Sequence, residues 1–83
     1  MRLADELAFV GCTVDAEEFR ELVCEMHAVM HPAWTDETLL FRPSDSLRFA
    51  HAVRCRAGCQ GLSDELILRT LVNARKRGDG GAT

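Results

Sequence analysis

Eighty-three residues make one domain and exclude two. With 47% hydrophobic and 28% charged residues, the composition is that of a globular chain and excludes a disordered one. A net charge of −3 excludes neither a basic nor an acidic partner, because the charge is unevenly spread. Residues 1–41 hold Arg2 and Arg20 against nine acids, a net of −7, and residues 42–83 hold eight bases against four acids, a net of +4. Such polarity gives an acidic side and a basic side, which attract each other either within the fold or across an interface.

At the start of the chain, Met1-Arg2-Leu3-Ala4-Asp5-Glu6 meets acid at once, unlike a secretory leader. No apolar run approaches the roughly 18 residues that span a bilayer, so no membrane partner is expected. The expected compartment is the cytoplasm, where the four cysteines stay reduced or bind metal. Leu3, Leu7 and Val10 recur at helical spacing and predict a first helix over 3–10, stopped by Gly11. Asp15 with Glu18 three residues later forms a capping box, and Val14 is placed to staple onto Phe19. The second helix is therefore expected over 16–31, ending before Pro32. Its apolar stripe is Phe19, Leu22, Val23, Met26, Val29 and Met30.

Thr35 caps a short helix near 36–41, from which Trp34, Leu39, Leu40 and Phe41 are expected to plug the core. Pro43-Ser44-Asp45 opens a third long helix, over 44–57, with Leu47, Phe49, Ala50, Val53 and Ala57 inward and Gly58 as its stop. Ser63 caps the last helix, 64–77, which turns Leu66, Ile67, Leu71 and Ala74 inward and is flanked by Leu68 and Val72. Gly78 closes it, leaving a flexible tail over 78–83. No segment alternates with period two. The expected fold is all-α: one domain over 1–77, a small four-helix bundle with one additional short helix.

Three features of the sequence bear on function. The first is a display of imidazole and thiol groups. Cys24, His27 and His31 lie at i, i+3 and i+7 on the second helix, and His51, Cys55 and Cys59 follow at four-residue steps on and after the third. Two facing rows of this kind hold the ligand types of a zinc site, although no tight Cys-x2-Cys turn is present. Buried cysteines and exposed histidines in ordinary structural roles give the same pattern. The same neighbours place a thiol beside a base, but a bundle this small offers little room for a substrate cleft, and no enzyme is expected.

The second feature is basic. Arg42, Arg48, Arg54, Arg56, Arg69, Arg75, Lys76 and Arg77 gather on the last two helices and their ends, in a layout compatible with binding nucleic-acid phosphates. Against this, the first half of the last helix is apolar where a recognition helix needs polar groups, and basic residues at a helix C-terminus are favoured by the dipole alone. The third feature is a surplus of large apolar residues, Met26, Met30, Trp34, Leu40 and Phe41, with Trp34 as an anchor. It favours a non-enzymatic module that binds another protein or a second copy of itself.

Overall fold

The computed structural model describes residues 2–81, with side chains described as far as Ala74. The described residues form five helices and no strand: α1 (Leu3–Phe9), α2 (Ala16–Met30), α3 (Asp36–Leu40), α4 (Pro43–Ala57) and α5 (Asp64–Gly81). The all-helical reading therefore holds, with the short helix between the second and third long ones. The backbone of α5 runs on to Gly81, beyond the stop expected at Gly78; the side chains of the expected tail, and those of Arg75, Lys76 and Arg77, lie outside the described residues.

Local chemistry explains where each helix starts. Asp15 accepts from the Glu18 backbone N–H at 2.9 Å, Thr35 Oγ1 from Thr38 N–H at 3.1 Å, and Ser63 Oγ from Leu66 N–H at 3.1 Å. Pro43 occupies the first turn of α4, where its missing N–H costs nothing, and Ser46 Oγ donates to the Pro43 carbonyl.

Two of the stops are alike. Gly11 and Gly58 both adopt positive φ, at 78° and 71°. After α1, Gly11 N–H bonds Ala8 O and Cys12 N–H bonds Leu7 O; after α4, Gly58 N–H bonds Cys55 O and Cys59 N–H bonds Arg54 O. Both are Schellman closures, and each puts a cysteine directly after its glycine.

Helices α2, α4 and α5 pack on one another, α3 packs on α4 and α5, and α1 packs on α2. The core between them holds Phe19, Val23, Leu39, Phe49, Ala50, Val53, Leu62, Leu66, Ile67 and Leu71, with Leu7 and Cys59 at one end. Four ion pairs among the described residues tie parts of the surface together, one of them Arg69–Glu65 within α5. Arg69 reaches Glu6 of α1 through both carboxylate oxygens at 2.7 and 2.8 Å. Arg54 links α4 to Asp64 at the start of α5 and also donates to the Leu62 carbonyl. Arg20 and Glu17 pair within α2.

Several expected core residues stand outside. Val29 is 72% exposed and Leu47 55%, although helical periodicity places both on inward stripes. Each lies six residues from a fully buried valine, Val23 or Val53, which is about 120° around the helix and beyond the buried arc. Of the four residues expected to plug the core from the short helix, Leu39 does so, Trp34 is half-buried, and Leu40 and Phe41 are 40% and 85% exposed. The helix is only five residues long, so it has one inward face, and Leu39 fills it.

Candidate interaction surface

The apolar residues left outside the core are concentrated in two places. One is a groove between α2 and α4, lined by Leu22, Met26 and Val29 on one side and by Ala52 and Cys55 on the other. Leu22, Met26 and Val29 lie at i, i+4 and i+7, so they form a continuous stripe beside the buried face of α2. Glu25 and Arg56 also line the groove, an acid from α2 and a base from α4. The second place is the α3–α4 corner, where Leu40, Phe41 and Leu47 are all exposed within residues 40–47. Phe9, 82% exposed at the end of α1, stands apart from both in the chain and carries no periodic signal that singles it out.

Of the five residues expected to form an interaction surface, Met26 lines the groove, and Leu40 and Phe41 are exposed at the corner. Met26, Met30 and Trp34 are all half-buried and pack against the core. Trp34 also stacks on His31, with ring centroids 4.5 Å apart and planes 5° from parallel. The Arg42 guanidinium lies 4.7 Å from the Trp34 ring centroid. Much of the indole is thus engaged within its own chain, and the exposed aliphatic residues carry more of the free surface than the expected anchor does.

The imidazole and thiol rows fall into different surroundings. His27 meets Phe49 edge-on at 6.2 Å, and His31 lies between Trp34 and Phe49. Their Nε2 atoms are buried without a hydrogen-bond partner among the described residues. Cys24 and Cys55 are exposed, whereas Cys59 is buried with its thiol donating to the Val10 carbonyl at 3.7 Å. His51 Nε2 and Cys55 Sγ are 3.6 Å apart on the exposed face of α4. Among the described residues, no three His, Cys, Asp or Glu side chains are grouped to hold a metal ion. Packing explains this: aromatic contacts claim two imidazoles and the core claims one thiol.

The arginine set divides in a similar way. Arg54 and Arg69 are held by Asp64 and Glu6, which neutralise charge that a phosphate backbone would need. Arg48 and Arg56 are exposed on α4, eight residues apart. A second cleft, between α1, α2 and α5, includes Arg20, Arg69, Glu6, Thr70 and Asn73 in its lining. Here Arg20 pairs with Glu17 and Arg69 with Glu6, while Arg2 also lines the cleft. No described helix is long and apolar enough to cross a membrane. No protein family, curated protein or solved structure matches the chain.

Proposed function

We propose that this chain is a non-catalytic helical module that associates with a second copy of itself through the α2–α4 groove, in the cytoplasm. The observation that carries this reading is the groove itself, an apolar stripe of Leu22, Met26 and Val29 with an acid and a base beside it. In a two-fold contact the same patch serves both molecules. Glu25 of each copy then meets Arg56 of the other, and the apolar stripes are buried between them. The charge pairs set orientation and speed encounter, while the stripes supply affinity at roughly 25 cal/mol per Å2 of apolar surface removed from water.

Two further points support a second copy as the occupant. A chain of this size has little stability to spare, so additional buried surface is of direct benefit. The acidic and basic halves also differ in sign, so two copies can attract each other; among the described residues Glu6–Arg69 joins the halves, whereas Arg20–Glu17, Arg54–Asp64 and Arg69–Glu65 each lie within one half. The test is Val29→Glu. Because Val29 is 72% exposed, the variant keeps its helical circular dichroism, but a carboxylate in the stripe weakens association at least tenfold. An unchanged association constant for a folded Val29→Glu protein contradicts the groove as the interface.

A further inference from the structure

Cys12 takes no part in the groove or in either row of imidazoles and thiols. It follows Gly11 at the Schellman closure of α1, as Cys59 follows Gly58 at the closure of α4. The α1–α2 and α4–α5 turns lie against each other. A Cβ added to Gly61 would lie 3.2 Å from both the Cβ and the carbonyl oxygen of Val10, so only glycine lets the chains come this close without a shift. The Cys59 thiol donates to that same Val10 carbonyl. That seats the Cys59 thiol on the α1–α2 turn two residues from Cys12, near enough for the two thiols to influence each other's ionisation. Two thiols 47 positions apart in sequence are thus brought together by two copies of one helix stop. Cys59 is buried and Cys12 half-buried, so one of the pair is open to a small reagent.

We propose that Cys12 and Cys59 form a reversible disulfide that fastens the α1–α2 turn to the α4–α5 turn when the protein meets a low-molecular-weight disulfide oxidant. The chemistry proceeds by two exchanges. The half-buried Cys12, as thiolate, attacks one sulfur of the oxidant, forming a mixed disulfide and expelling one small thiolate. Cys59, as thiolate, then attacks Cys12 Sγ, closing the protein disulfide and expelling the second. Two protein thiols lose two electrons and the oxidant gains them. The two protons given up by the cysteines end on the two small thiols. The bond closes across two turns that lie against each other, each held by its own backbone bonds. Burial pushes the Cys12 thiol above its ordinary range, with the neighbouring Cys59 adding to this and the Val14 backbone opposing it. The pair therefore reacts faster as pH rises.

The experiment uses the full chain, reduced and then incubated with oxidised glutathione, with remaining thiols alkylated before peptide mapping by mass spectrometry. Cys24 and Cys55, the exposed thiols, are replaced by serine so that they do not compete. The expected product is a monomer lighter by two hydrogens, containing a Cys12–Cys59 linked peptide. Its thermal midpoint is higher by roughly 10 °C or more, because the cross-link restricts the unfolded chain, and dithiothreitol reverses the gain. Cys12→Ser removes the linkage and the gain. Cys59→Ala keeps the core filled with an apolar residue and leaves Cys12 as a stable glutathione adduct. The proposal is overturned if the unsubstituted pair stops at the Cys12 adduct, or if both cysteines stay alkylatable after oxidation of a protein with native circular dichroism.

Discussion

Leu71 is 3% exposed on the inner face of α5, and truncating it leaves a cavity that neighbouring helices only partly close. Leu71→Ala is expected to cost about 2–5 kcal/mol, read as a lowered midpoint in urea. Leu47→Ala, at a site 55% exposed, should change stability by less than about 0.5 kcal/mol. The contrast is informative because the sequence treats the two leucines alike, as apolar positions on amphipathic helices. Cys12 provides a pH test. Burial raises its thiol above the ordinary value of 9.0, so the folded state holds the proton more tightly than the unfolded state does. Its contribution to stability is complete below that value and is lost as pH rises through the higher folded one. Under reducing conditions, the wild type should lose more stability between about pH 8 and about pH 10 than Cys12→Ala does, by denaturant titration at both pH values. Equal losses would show that the thiol is solvated in the fold.

At the scale of elements, the helices were legible because capping is local chemistry. Asp15, Thr35 and Ser63 each hold the backbone N–H expected of them, and Asp15→Ala should cost roughly 1 kcal/mol by loss of that bond alone. Gly11 and Gly58 stopped α1 and α4 as expected, since positive φ there favours glycine. What the sequence did not reveal depends on which helix lies beside which. Val29 and Leu47 belong to stripes wider than the buried arc, and only the placement of α2, α4 and α5 shows which edge is left open. Periodicity could say that Met26 and Val29 lie on one side of α2, but not that Ala52 and Arg56 of α4 stand across a groove from them. Gly11 and Gly58 read in the sequence only as two separate helix stops; that Cys12 and Cys59 follow them on turns that meet comes from the fold. If the groove is the interface, single reversals Glu25→Arg and Arg56→Glu should each weaken association several-fold, and the double reversal should restore it.

The molecule as a whole combines a small core with apolar side chains left at its surface. Among the described residues, ten core residues from α2 to α5, together with Leu7 and Cys59, form the shared core of the five helices. That leaves the α2–α4 stripe and the α3–α4 corner facing outward. The charge asymmetry is a second feature: the net charge is −7 in residues 1–41 and +4 in residues 42–83, and among the described residues Glu6–Arg69 joins the two parts. In the proposed dimer, pairing two copies through the groove buries the stripe and brings opposite charges together. Sedimentation equilibrium of the wild-type chain over a wide concentration range, at low and high salt, tests this directly. The account predicts a reversible monomer–dimer equilibrium with a mass limit of twice 9.2 kDa, slower to assemble and modestly weaker at high salt, where the Glu25 and Arg56 pairs are screened. A single species of 9.2 kDa at every concentration and at both salt levels would contradict it.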